Sequence, residues 1–241
     1  MDGIKRTKFN VSLLGESEVG KTSMVQVRTG MPFNEDQLAT VGVENFIDTA
    51  IFEGKEYKFK IFDTAGQERY NSVATSIYKA VDGYLLVFAV DKKKTLEKIS
   101  NWINSLEENV NLKEKVLILV GNKCDKEKRE VSKEDGIEYA KSFNIKYFET
   151  SAKTGDGINE VFLQIYQDLY ELNEEKGLVD KKKSKKSKDK KKEKEKEKEI
   201  KEKEKEKEKK ENNSDNNGKK IELNKEEHIK IDKKERKRRR C

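Results

Sequence analysis

Apolar residues in this chain fall in short runs, separated by stretches in which they recur every three or four positions. The runs at 9–14, 84–90 and 116–120 are nearly unbroken and fit strands buried on both sides. Two further runs, 46–52 and 57–62, flank Glu53-Gly54-Lys55 and predict a hairpin. A short strand is expected at 146–149. Helical spacing marks 21–29, 96–109, 133–143 and 157–172, while the polar stretch 30–41, with the only proline (Pro32), predicts a loop. Strands alternating with amphipathic helices predict an α/β fold: a six-stranded, mostly parallel sheet with helices on both faces and one hairpin-linked strand running antiparallel. Ligands of such sheets bind at the carboxyl ends of the strands.

Charge then divides the sequence. Residues 181–241 hold 29 of the 54 Lys and Arg and 16 of the 47 Asp and Glu, a net of +13, which leaves the residues before them at −6. The basic stretch has almost no apolar residues and cannot offset the entropy of ordering, so it is expected to be disordered. The predicted organisation is one domain over 1–175 and a charged tail over 176–241. Residues 193–209 alternate Glu and Lys. On a helix that pattern would set like charges four residues apart, so an extended chain is expected instead. Cys124 and Cys241 make no disulfide framework. No segment resembles a signal peptide, and the apolar runs fall far short of the roughly 20 residues that cross a bilayer. A soluble monomer in a reducing compartment is expected. The one histidine, His228, lies in the tail, so no Ser/His/Asp set or His/Cys metal cluster is in view.

Candidate chemistry concentrates after the strands. Gly15-Glu-Ser-Glu-Val-Gly20-Lys21-Thr22 follows the first strand and opens the first helix, and fits the phosphate-binding pattern G-x-x-x-x-G-K-[ST]. Its glycines let the backbone turn around an anion, and the helix start adds free N–H donors. Lys21 supplies a charge for the β- and γ-phosphates and Thr22 a hydroxyl for Mg²⁺. The loop residues Gly15, Glu16, Ser17, Glu18, Val19, Gly20, Lys21, Thr22 and Ser23 are the candidate phosphate-binding set. Asp63-Thr-Ala-Gly66-Gln67 follows the hairpin. Its carboxylate can hold Mg²⁺ through water, the Gly66 N–H can approach a terminal phosphate, and Gln67 can orient an attacking water. In Asn122-Lys123-Cys124-Asp125 the Asp125 carboxylate can accept two N–H donors at once. Guanine presents such a pair and adenine does not. Ser151-Ala152-Lys153 offers the Ala152 N–H to a guanine carbonyl.

Together, Gly15–Thr22, Thr40, Asp63–Gln67, Asn122–Asp125 and Ser151–Lys153 resemble the five guanine-nucleotide motifs of the Ras superfamily of small GTPases. Thr40-Val-Gly-Val-Glu44 and Asp63-Thr-Ala-Gly-Gln-Glu-Arg69-Tyr70 are most similar to the Rab family. The resemblance covers residues 8–172 and implies a P-loop NTPase fold and a switch that binds GTP or GDP with Mg²⁺ and hydrolyses GTP slowly. It implies that Thr22, Thr40 and Asp63 serve the metal, with Thr40 engaged only in the GTP state. Lys21, Thr40 and Gln67 form the implied catalytic set, and Gly66 senses the γ-phosphate. Phe33 packs on the base, which Asn122, Lys123, Asp125, Ser151, Ala152 and Lys153 surround. Residues 34–44 and 64–78 would be the two switch segments. Effectors, an exchange factor, a GTPase-activating protein and a prenyl-lipid chaperone are the implied partners.

The sequence also departs from that pattern. Glu18 stands where the family usually has a small residue. Either its carboxylate repels the phosphates and speeds exchange, or it points to solvent and is screened. The positions of the three effector-facing aromatics of Rab proteins carry Asn45, Phe62 and Ile77, and Ala89 replaces an acidic residue. The sequence ends Lys233-Lys-Glu-Arg-Lys-Arg-Arg-Arg-Cys241, a polybasic run with one cysteine where Rab relatives usually carry two. A prenyl group there with the basic patch would make a two-signal anchor. Alternatively Cys241 is unmodified and the run binds acidic partners, nucleic acid standing behind membrane. Three readings remain: a traffic switch on the cytoplasmic face of an intracellular membrane, a poorly hydrolysing scaffold, and a GTP-regulated tether.

Overall fold

The structure, a computed structural model, describes residues 6–40, 42–64 and 77–177. These lie in the first of the two units into which the chain divides, 1–178 and 179–241. The expectations for Gly66, Gln67, Cys241 and the tail fall outside the described residues.

Six strands form one sheet in the order β2-β3-β1-β4-β5-β6. They are β1 (Lys8–Leu14), β2 (Val43–Phe52), β3 (Lys55–Thr64), β4 (Gly83–Ala89), β5 (Val116–Asn122) and β6 (Lys146–Thr150). All neighbours pair in parallel except β2 with β3, which are antiparallel. The predicted hairpin closes on Phe52 opposite Lys55, with Glu53 and Gly54 both at positive φ (51° and 74°). Two consecutive left-handed residues match the twist of the strands they join.

Helices cover the sheet on both faces, as expected. They include α1 (Lys21–Arg28), α2 (Lys93–Glu97), α3 (Ile99–Asn109), α4 (Lys133–Ser142) and α5, residues 158–177. The unbroken apolar runs have a simple cause. In β4, Leu85 and Val87 join the core under α1 and α5, while Tyr84, Leu86 and Phe88 join the core under α3 and α4. Both sides of the strand are buried, so both must be apolar. On α3, Ile99, Trp102, Ile103 and Leu106 recur at helical spacing and point into the second core.

The hairpin differs. Tyr57, Phe59 and Ile61 of β3 are buried, but Lys58 and Lys60 between them are exposed, as are Ile47 and Ile51 on β2. Among the described residues that half of the sheet is covered on one face, and its sequence alternates accordingly. The single helix expected over 96–109 is in fact two, starting earlier at Lys93 and interrupted at Lys98. Lys98, between the two, keeps right-handed helical angles (φ −78°, ψ −10°), and its side chain reaches Glu16, Nζ to Oε2 2.7 Å.

Candidate functional site

The loop after β1 is shaped by steric demand. A Cβ on Gly15 would lie 2.1 Å from the Val87 carbonyl oxygen, and one on Gly20, at φ 93°, would lie 2.4 Å from the Asn122 amide nitrogen. Only glycine lets the loop pass this close to β4 and β5. Gly20 then begins α1 with no side-chain cap and no acidic residue in the first turn. An uncapped, undefended N-terminus keeps its amides and partial positive charge for an incoming anion. Lys21 is buried and donates to the carbonyls of Gly15 (2.8 Å) and Glu16 (3.0 Å), which stretches its side chain back over the loop.

Beside the loop lies a cavity of about 460 Å³, at the carboxyl ends of the strands where it was expected. Its floor is the phosphate loop and the start of α1. One wall comes from residues 33–40 and the other from Asn122–Lys126 with Ala152 and Lys153. Phe33 stands in the first wall, about a third exposed. Lys153 reaches across to Glu35 at 3.7 Å.

Three oxygen-bearing side chains from separate segments meet at one end. The Thr22 hydroxyl donates to Asp63 Oδ2 (2.6 Å) and lies 2.6 Å from the Thr40 hydroxyl, which is itself 3.5 Å from Oδ2. Asp63 is fully buried at the end of β3, and its Oδ1 has no hydrogen-bond partner among the described residues. Burial pushes its carboxyl above the usual range, against the hydroxyls of Thr22 and Thr40 and the Lys21 ammonium. A buried carboxylate with an orphaned oxygen and two hydroxyls beside it is a hard donor set short of positive charge. That fits Mg²⁺, which takes few protein oxygens and completes its shell with phosphates and water. Once held there, the ion would neutralise phosphate charge.

At the other end, Asn122 is buried and its amide is used from both sides. Nδ2 donates to the Val19 carbonyl (2.8 Å), while Oδ1 accepts from the Thr150 hydroxyl (3.1 Å) and from the Ala152 N–H (3.3 Å). Asn122 therefore ties the phosphate loop to the segment that ends β6 and follows it. Ser151 donates to Asp125 Oδ1 at 2.6 Å and so orients that carboxylate. Lys123 sits at φ 68°. Burial pushes its ammonium down from the usual value, and the Asp91 carboxylate pulls it back up. Burial, with the Glu149 carboxylate adding to it, pushes the Cys124 thiol up from its usual value.

Glu18, also at positive φ (64°), lines the cavity at the rim but directs its carboxylate to Lys92, 3.0 Å away. The pair is exposed on both sides. Two side-chain duties were not read from the sequence. Thr150, just before Ser151, holds Asn122. Thr95 accepts the Ala89 N–H at 3.0 Å and donates to the Lys92 carbonyl at 2.6 Å, closing the end of β4 where the expected acid is missing. A buried threonine beside a motif is the only local hint for either.

Comparison with known proteins agrees with this geometry. The profile described as Ras family matches residues 10–171. Ras-related protein Rab-18-B of Danio rerio is 36% identical over 171 residues, 71% of this chain and 83% of the relative. Rab-13 of Canis lupus familiaris is 39% identical over 162 residues, 67% and 79% of the two chains. Rab-8 of Diplobatis ommata is 38% identical over 184 residues, 73% and 87%.

Proposed function

The chain belongs to the Ras family as a Rab-like small GTPase, and from that premise we propose that it is a membrane-traffic switch whose on-state is set by Thr40. The observation that carries this is the meeting of Thr40 with Thr22 and Asp63. Residues 30–40 contain no helix or strand, so their position rests on few contacts. Thr40 at the metal end and Glu35 against Lys153 are two of them. An occupant that offers a γ-phosphate strengthens the hold on Thr40, and loss of that phosphate releases the segment.

The parts have distinct duties in this reading. The Gly15–Thr22 loop and Lys21 bind the β- and γ-phosphates. Asp125, oriented by Ser151, accepts the two guanine donors, and Phe33 covers the base. Thr22, Thr40 and Asp63 hold Mg²⁺. Gln67 aligns the attacking water and Gly66 donates its N–H to the γ-phosphate. No arginine is assigned to the transferring phosphate, so hydrolysis is slow until an activating protein supplies one. Prenylation of Cys241 with the adjacent basic run anchors the protein to the cytoplasmic face of an intracellular membrane. No helix among the described residues is long and apolar enough to cross one.

Single-turnover GTP hydrolysis and GDP release on the full chain test the reading. Slow release with slow hydrolysis that Gln67→Leu abolishes supports it; rapid hydrolysis independent of Gln67 would sink it. For the anchor, membrane flotation of the cell-expressed protein should be lost in Cys241→Ser, and mass spectrometry of the last peptide should find a prenyl mass.

A further inference from the structure

The phosphate loop carries two carboxylates, Glu16 and Glu18, of which Glu18 lines the cavity. Both are bound by lysines from the segment that follows β4. Lys98 Nζ lies 2.7 Å from Glu16 Oε2, and Lys92 Nζ lies 3.0 Å from Glu18 Oε2. Lys92 comes from a rigid mount. Its N–H donates to Ala89 at the end of a fully buried strand, and its carbonyl is held by both the amide (2.9 Å) and the hydroxyl (2.6 Å) of buried Thr95. Glu18 lines the cavity, whereas Lys92 does not. Its ammonium therefore pulls on the carboxylate from outside the cavity.

We propose that Lys92 is a positioning residue for the bound nucleotide: by pairing with Glu18 it holds that carboxylate off the phosphates and slows nucleotide release. The inference rests on the nucleotide-binding reading of the same site. Like charges near a diphosphate weaken its binding, and an opposite charge on the far side of the carboxylate turns and neutralises it. The Lys92 ammonium, by hydrogen bond and by charge, holds the Glu18 carboxyl below its usual range, with Lys123 adding to the effect. Glu18 persists at a left-handed backbone position that glycine would occupy without strain. Lys92 thus answers the resident acid: the loop tolerates Glu18 because a cation 74 residues away is fixed to receive it.

GDP release from the full chain, followed with a fluorescent GDP analogue at low salt, tests this in a double-mutant cycle. Because the pair is exposed, the effect is modest: Lys92→Ala should speed release about two- to fivefold. The same substitution in a Glu18→Gln background should change it by less than half as much. Lys92→Arg should retain slow release, and Lys94→Ala, an exposed neighbour of the same charge, should leave it unchanged. Near 1 M salt, where the screening length is about 3 Å, the difference between wild type and Lys92→Ala should vanish. Equal release from wild type and Lys92→Ala at low salt would overturn the inference while the nucleotide reading stands. So would an equal effect in the Glu18→Gln background. A chain that binds no GDP would overturn both.

Discussion

Asn122 ties three separate segments of the site together. It makes three hydrogen bonds to groups 28 to 103 residues away along the chain. Each such bond is worth about 1 kcal/mol net, and more where a buried partner would be left unmade. Asn122→Ala is therefore expected to speed GDP release by about ten- to a hundredfold, measured by stopped-flow displacement of a fluorescent analogue. A rate within twofold of wild type would show that the base loops keep their place without it. The motif that contains Asn122 is legible in the sequence, because its residues are adjacent. Its mechanical duty is not, since Val19 and Thr150 become its neighbours only when three loops fold together. The same distinction separates Lys21 and Thr22, found from local spacing, from Lys92 and Lys98, which carry no local signal.

At the scale of single elements, steric fit overrides propensity. Gly136 lies inside α4, where alanine would ordinarily stabilise a helix by about 0.5–1 kcal/mol. Here a Cβ would meet the Tyr147 ring at 2.4 Å and its hydroxyl at 2.6 Å. That ring cannot swing freely, because its hydroxyl donates to Glu149 and it stacks near Phe88. Overpacking of this kind costs about 1–3 kcal/mol, so it exceeds the propensity gain. Gly136→Ala should lower stability in urea unfolding; a gain would mean that Tyr147 has room to move. Element identities were readable because buried strands and amphipathic helices differ in period. The contact of Lys98 with Glu16 was not, for its partner lies 82 positions earlier. The turn at Glu53-Gly54 was readable, since its chemistry is contained in two residues.

For the molecule as a whole, Glu149 is one group through which pH reaches stability. Burial pushes its carboxyl up, but hydrogen bonds from Arg129 and Tyr147 outweigh that and hold it below its usual 4.5. A folded-state value below the unfolded one gives stability that is complete above the unfolded value and is lost as pH falls through the folded one. Thermal unfolding followed between about pH 6 and 3 should therefore decline less steeply for Glu149→Gln than for wild type; parallel declines would remove Glu149 as a cause. The layered α/β plan followed from the order of apolar runs. The uneven covering of the sheet was also written there, in the contrast between the solid run of β4 and the alternation of β3. That contrast has a kinetic meaning. Amides of β4 and β5, sealed on both faces, should exchange with deuterium only when the whole domain opens. Those of β2, at the edge with one face in water, should exchange by local opening at far lower cost. In the proposed reading, the loop that carries Lys123 and Asp125 then hangs from the sealed strand β5, while Thr40 lies just before β2, the edge strand expected to open alone.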